Sequence, residues 1–405
     1  GMWRRACRGR ATHSFIVWIA FSFQEKSIYE PHRNTKQTTR KNSSPESNCP
    51  LPTAHCPLCP PPSETLVPVH SYHGIMKAIV YREYGSSDVL KCEEVEKPVP
   101  KDNEVLIKVR VAAVNPLDWR LMKPDPAALR LFQGMNKPRS GRPGVDMAGE
   151  VEAVGKKVTQ FKPGDAVFGA GSGVFAEYAC AAESKIVEKP ENVTFEQAAA
   201  VNVAGLTALQ GLRDKGKMHA GSKVLINGAA GGVGTFAVQI GKHFGAHVTG
   251  VCSTRNVDLV RSIGADEVID YTQTDFTTSD ATRKQRYDVI LDCVGNHSFS
   301  EYRRVLNREG RFIGVGAPHG LSMTEILVPV IKDLLFSVFS SQKAVMFIAK
   351  SSQADLRLIG ELIATEKVKP VIDKIYPFSE AADAVGHVEA GHARGKVLIA
   401  VSSGQ

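Results

Sequence analysis

Apolar and polar positions change rhythm along this chain. Residues 76–81 start a strand-like pattern, and residues 105–114 (VLIKVRVAAV) alternate well enough to predict a half-buried strand. Residues 144–155 (GVDMAGEVEAVG) set glycines among β-branched residues, as in strands with tight turns or close backbone approach. Lys162-Pro163-Gly164-Asp165 predicts a turn, with strands over 166–169 and 175–179. Region 76–190 is thus β-rich with Gly/Pro punctuation, which predicts a small barrel-like domain.

From Phe195 the pattern becomes helical, and 195–213 (FEQAAAVNVAGLTALQGLR) predicts an Ala-rich helix. Strands over 223–227, 247–252, 267–271, 288–293 and 311–315 then alternate with helices over 232–244, 257–264 and 298–306. That βαβ rhythm predicts an α/β fold with a doubly wound parallel sheet. An apolar stretch over 323–349 carries Lys332, Asp333 and Lys343 and is too charged to span a membrane. A core helix and a subunit-contact strand are expected there. Helices over 355–365 and 379–390 and strands over 371–375 and 397–401 close the chain.

Composition divides the chain near Met76. A net charge of +8 over 405 residues raises the prospect of nucleic acid or an acidic membrane face. The first 75 residues hold nine Lys/Arg against four Asp/Glu, leaving 41 against 38 in the body. They also hold nine of the 22 prolines and no periodic apolar face, so disorder is expected. Arg4, Arg5, Arg8 and Arg10 before the apolar run 15–23 resemble a signal or transit peptide. The preferred alternative is a mis-assigned start, with translation beginning at Met76. Cys56-Pro57-Leu58-Cys59 has the spacing of half a zinc site, but no second pair matches it, and a chance CxxC is the preferred reading. No basic patch interleaved with aromatics supports nucleic-acid binding. The body's Cys92, Cys180, Cys252 and Cys293 lack disulfide-style spacing, so a reducing, cytoplasmic compartment is expected. An organelle or export is the alternative if 1–75 is a true leader.

The most informative segment runs from the strand at Val224 into Gly228-Ala229-Ala230-Gly231-Gly232-Val233-Gly234 and then a helix. Its end reads as G-x-G-x-x-G with Ala first. Gly231 lets backbone approach a pyrophosphate, Gly234 lets helix pack on sheet, and the helix N-terminus offers free N–H groups. At the end of the second strand Cys252-Ser253-Thr254-Arg255 carries no acid for a ribose 2′-OH. Hydroxyls at Ser253 and Thr254 and the guanidinium of Arg255 suit a 2′-phosphate, so NADPH is expected over NADH.

Asn115-Pro116-Leu117-Asp118, then Gly144-x-Asp146-x-x-Gly149-x-Val151-x-x-Val154-Gly155, then Gly205-Leu206-Thr207-Ala208 and the glycine turn resemble the medium-chain dehydrogenase/reductase superfamily. The branch they resemble is the zinc-independent quinone oxidoreductases, over essentially all of 76–405. The resemblance implies a GroES-like catalytic domain (76–200 and 350–405) around a Rossmann domain (201–349). It implies Thr207 near the nicotinamide and Lys242 and Tyr271 on the adenosine 2′-phosphate and ribose. It also implies Gly295, Gly314, Gly316 and Lys396 on the cofactor side. Zinc-bearing members carry Cys at the position of Asn115 and Gly-His-Glu at 144–146. A third ligand just before Thr207 is also missing here, so no metal is expected. A homodimer through 335–349 is implied.

Without zinc, stabilisation of a developing oxyanion must come from hydrogen-bond donors. Asn115 is the candidate donor. Asp118 is either a proton relay or, preferentially, a helix cap. Asp146 is expected to hold its turn. Two small-molecule substrate classes fit, quinones and α,β-unsaturated carbonyls. The alternatives are an NADPH-binding protein with little turnover and a zinc-free alcohol-dehydrogenase-like reductase.

Overall fold

The computed structural model describes residues 74–124, 130, 134–138, 141–279, 285–316 and 340–401. The leader, its CxxC and most of the apolar stretch 323–349 lie outside the described residues.

β1 (Ile75–Val80) and β2 (Lys91–Glu96) form an antiparallel hairpin. β3 (Glu104–Val114) leads into α1 (Pro116–Met122). β4 (Asp146–Val154), β5 (Ala166–Ala170), β6 (Tyr178–Ala182) and β7 (Ile186–Glu188) follow. The strand expected at 175–179 begins later, because Phe175 is buried in a turn whose N–H meets the Pro143 carbonyl.

The helix expected over 195–213 is broken. α2 (Phe195–Ala199) starts on a Thr194 cap, and α3 (Asn202–Gln210) starts anew, running into a π-turn over Gly211–Lys215. The break has a physical reason. It frees the Val203 N–H from the preceding turn, and that N–H goes to the Asp146 carboxylate at 3.2 Å.

β8 (Lys223–Asn227), α4 (Gly232–His243), β9 (His247–Cys252), α5 (Val257–Ser262) and β10 (Glu267–Asp270) come next. β11 (Tyr287–Asp292), α6 (Phe299–Tyr302), β12 (Leu306–Gly314) and β13 (Lys343–Met346) complete that sheet. α6 is shorter than expected because Leu306 already belongs to β12. α7 (Gln353–Ala364), β14 (Ile372–Pro377), α8 (Ala381–Glu389) and β15 (Lys396–Ala400) end the described chain.

Two sheets position the site. One is parallel, in the order β10-β9-β8-β11-β12-β13. Its strands thus run 3-2-1-4-5-6, the Rossmann order, with the switch point between β8 and β11. The other is mixed, in the order β14-β15-β3-β4-β5-β7 with β6 on β3. One apolar cluster joins them, with Val111, Phe168 and Leu398 packed with Leu206, Ile226 and Leu356. This is the α/β arrangement of a Rossmann sheet with a β-rich domain. Among the described residues no helix is long and apolar enough to cross a membrane.

Candidate active site

Sheet register assembles the first half of the site. β15 pairs with β3 so that Val397 faces Val114, which sets Lys396 beside Asn115. β4 pairs with β3 on its other edge so that Asp146 faces Ala113. Lys396, Asn115 and Asp146 therefore lie at one end of three adjacent strands. All three, with Asp118, are at most 3% exposed.

Buried polar groups must be paired, and these are. Lys396 Nζ donates to Asn115 Oδ1 at 2.6 Å and lies 3.5 Å from Asp146 Oδ2. Asp146 Oδ1 also accepts from Asn202 Nδ2 at 2.9 Å. Asp118 accepts the Asn115 N–H at 2.8 Å and the Gly144 N–H at 3.1 Å. Pro116 opens α1 at a position where no N–H is needed. Burial pushes the Asp118 carboxyl up to about 7, with the negative Asp146 adding to the rise and the two backbone donors opposing it. Burial also lowers the Lys396 ammonium, against the pull of Asp146 and Asp118.

This donor set does not fit zinc. The amide of Asn115 and the apolar Val145 stand where thiolate and imidazole would be needed, and an ammonium already sits between Asn115 and Asp146. Among the described residues no group of three His, Cys, Asp or Glu is placed to hold a metal.

The glycine turn forms the second half. Gly228 has φ +81° and turns the chain out of β8. A Cβ on Gly231 would meet only the Gly228 carbonyl at 3.5 Å, so the cradle above it is open. A Cβ on Gly234 would strike that carbonyl at 2.1 Å, so helix and strand touch there. The first N–H groups of α4, at Gly232, Val233 and Gly234, have no acceptor within the helix, and no side chain caps it. An open cradle lined by N–H groups at a 12-residue helix fits a pyrophosphate.

Residues 395 and 396 join the halves. The Gly395 N–H donates to the Ala230 carbonyl at 2.9 Å, and Gly395 bridges Gly231. The Lys396 stem passes over Gly232, where a Cβ would meet it at 3.2 Å. Gly395 has φ +95°, and a Cβ there would lie 2.2 Å from the Val371 carbonyl.

Ser253, Thr254 and Arg255 follow β9 at the same end of the sheet. Arg255 donates to the His392 carbonyl at 3.1 Å, which uses one of its five N–H groups. Thr254 donates to Asp270 at 2.6 Å. Asp270 ends β10 opposite Cys252, so an acid absent from the second strand stands on its neighbour. Its pKa is lowered, first by that Thr254 hydrogen bond. Tyr271 follows it and is exposed.

Gly295, Gly314 and Gly316 sit at the ends of β11 and β12. The Gly295 N–H donates to Asp292 at 3.0 Å, and a Cβ on Gly316 would strike the Cys293 backbone. Thr207 lies half-buried one turn beyond Val203 on α3.

Lys242 does not join the others. It sits at the far end of α4 from the glycine turn and pairs with Asp266 at 2.6 and 2.8 Å. Its ammonium is engaged with Asp266, so a 2′-phosphate at this position would have to compete with that pair. Two supports were missed in the sequence. Asn227 and Asp292 pair at 3.0 Å across β8 and β11 and hold the Gly228 and Gly295 loops together. The only local signal was an amide and an acid closing two apolar strands.

Known proteins resemble this chain over the same span. The family model described as "Alcohol dehydrogenase GroES-like domain" matches residues 101–191, and that described as "Zinc-binding dehydrogenase" matches 263–399. The "Chloroplast envelope quinone oxidoreductase homolog" of Arabidopsis thaliana is 35% identical over 340 residues, covering 80% of this chain and 98% of the relative. The "NADPH-dependent alkenal/one oxidoreductase, chloroplastic" of the same plant is 34% identical, covering 80% of this chain and 79% of the relative. The solved quinone oxidoreductase from Coxiella burnetii superposes with a TM-score of 0.71 at 30% identity, covering 81% of this chain and all of that one. With this fold and these likenesses, the chain belongs to the medium-chain dehydrogenase/reductase superfamily, in its quinone-oxidoreductase-like branch.

Proposed function

We propose that the protein is an NADPH-dependent reductase of quinones or α,β-unsaturated carbonyls that works without zinc. One observation carries the reading. Residues 395 and 396 tie the phosphate cradle to the buried amide of Asn115, so a dinucleotide on the glycine turn would lie beside a substrate oxygen at Asn115. Relatives named as a quinone oxidoreductase homolog and an NADPH-dependent alkenal/one oxidoreductase support both substrate classes.

Ala230, Gly231, Gly232, Val233 and Gly234 would hold the pyrophosphate, and Ser253 and Arg255 the 2′-phosphate. Thr207, Gly295, Gly314 and Gly316 would line the nicotinamide side. When bound, the dihydronicotinamide supplies a hydride. With an α,β-unsaturated carbonyl the hydride would form a C–H bond at the β-carbon while the C=C electron pair shifts through to the carbonyl oxygen. With a quinone it would form an O–H bond at one carbonyl oxygen while the electron pair shifts through the ring to the other. Asn115 Nδ2 donates to that oxygen as its charge grows. Solvent protonates the enolate or hydroquinone anion. Asp118 keeps the loop of Asn115 in place rather than moving the proton.

The protein is proposed to act as a homodimer in a reducing compartment, the cytosol by its cysteine pattern. Relatives named chloroplastic make an organelle the alternative.

The test is NADPH and NADH oxidation by the purified chain with a panel of quinones and enals. Turnover with kcat/KM favouring NADPH is expected, with Arg255→Ala lowering that preference. Cofactor binding without turnover would favour a non-enzymatic role. One tightly bound zinc per chain by metal analysis would overturn the zinc-free mechanism.

A further inference from the structure

A buried ammonium remains to be explained. Lys396 Nζ faces Asn115 Oδ1 at 2.6 Å, the Val114 carbonyl at 3.4 Å and Asp146 Oδ2 at 3.5 Å. An ammonium has three N–H donors, and here each has an acceptor. Lys396 is thus committed to protein atoms, with no donor left for a ligand.

Its shortest bond decides what Asn115 can do. The Asn115 Nδ2 donates one hydrogen to the Ala113 carbonyl at 3.3 Å, and the other has no partner among the described residues. Turning the amide over would set its N–H groups against the ammonium, donor against donor. Lys396 therefore holds the amide with Oδ1 inward and one N–H free. The ammonium hydrogen-bonded to Oδ1 also draws electron density from the amide, which strengthens that N–H as a donor. The ammonium is fixed in turn. Asp146 is held by Asn202 Nδ2 at 2.9 Å and by the Val203 N–H at 3.2 Å, both supplied by the start of α3.

We infer that Lys396 is a positioning residue that acts through Asn115, orienting and polarising its amide for the substrate oxyanion. The chain Asp146–Lys396–Asn115 supplies the electrostatic stabilisation without direct contact between the lysine and substrate. This rests on the reading of Asn115 as the oxyanion donor.

The experiment combines Lys396→Met, Lys396→Gln and Asn115→Ala with steady-state kinetics and NADPH titration by fluorescence. Lys396→Met is expected to lower kcat by roughly 10- to 100-fold, below the roughly 100- to 1000-fold of a lost oxyanion donor because the Asn115 amide itself remains. NADPH Kd should change less than about threefold. Lys396→Gln, which keeps a donor to Oδ1 without charge, should fall between the two. In the Asn115→Ala background, Lys396→Met should cost less than about threefold more, because its route is already cut. A full additive loss, or a loss seen mainly in NADPH Kd, would overturn the inference. So would wild-type kcat in Lys396→Met. Lys396→Met leaves Asp146 as an unpaired buried charge, so Lys396→Met/Asp146→Asn supplies a folded comparison read by the same kinetics. A wild-type protein inactive on every quinone and enal would instead sink the proposed function.

Discussion

Asp118 receives one backbone N–H on each carboxylate oxygen, Asn115's at 2.8 Å and Gly144's at 3.1 Å. It thereby clamps the start of α1 to the Gly144 turn, 26 residues away. Burial nonetheless pushes its carboxyl up to about 7. A folded-state pKa raised above the unfolded value of 3.8 means that the native state binds the proton more tightly. Its contribution to stability is fully present below about pH 4 and is lost as pH rises through about 7. Thermal melts between pH 5 and 8 should show a fall in Tm for wild type relative to Asp118→Asn. Parallel pH profiles for the two proteins would contradict this.

Asp270 predicts a tempered cofactor preference. Its carboxylate stands beside Thr254 at the end of β10, close to where Ser253 and Arg255 would meet a 2′-phosphate. A carboxylate there favours a ribose hydroxyl and repels a phosphate. Asp270→Asn should raise the ratio of kcat/KM for NADPH over NADH by roughly fivefold, the scale for exposed charges in water. High salt should shrink the difference. An unchanged ratio would place Asp270 outside the phosphate's reach.

Much of this was legible in local pattern. The apolar runs of β8 and β9 sit between clear turn residues and fall where the sequence places them. The glycine turn is likewise a local signal. β2 was missed because KCEEVE carries four charges, and only its partner β1 makes it a strand. The site's polar chain was illegible for a related reason. Lys396 and Asn115 are 281 residues apart and meet through sheet register alone. The break between α2 and α3 follows from a carboxylate on β4 that competes for helix N–H groups. Periodicity puts Lys242 on a helix without saying which end of the sheet it approaches.

The two glycines of the turn should fail differently when replaced by alanine. In Gly231→Ala the new methyl meets only a carbonyl at 3.5 Å, and the backbone φ of −83° suits alanine. The protein should fold with little change in Tm but bind NADPH about tenfold or more weakly, because the methyl stands in the pyrophosphate cradle. In Gly234→Ala the methyl strikes the Gly228 carbonyl at 2.1 Å and Ala229 Cα at 2.7 Å. That overpacking should cost about 1–3 kcal/mol, read as a lower Tm before any kinetics. Equal Tm losses would mean that the cradle is not open.

Lys242→Ala separates helix position from cofactor contact. Ten residues along α4 at about 1.5 Å each put Lys242 about 15 Å from the glycine turn. There its ammonium pairs with Asp266 and also reaches the Ala246 carbonyl at 3.3 Å, beside the start of β9 rather than its end. The pair is about one-third exposed, 35% for Lys242 and 28% for Asp266, so screening holds its worth to about 0–1 kcal/mol. Asp266 also keeps the Val248 N–H at 2.7 Å, so losing the lysine does not strand it. Lys242→Ala should therefore lower Tm slightly and leave KM for NADPH within about twofold of wild type. A tenfold rise in KM for NADPH with KM for NADH unchanged would bring Lys242 back to the 2′-phosphate.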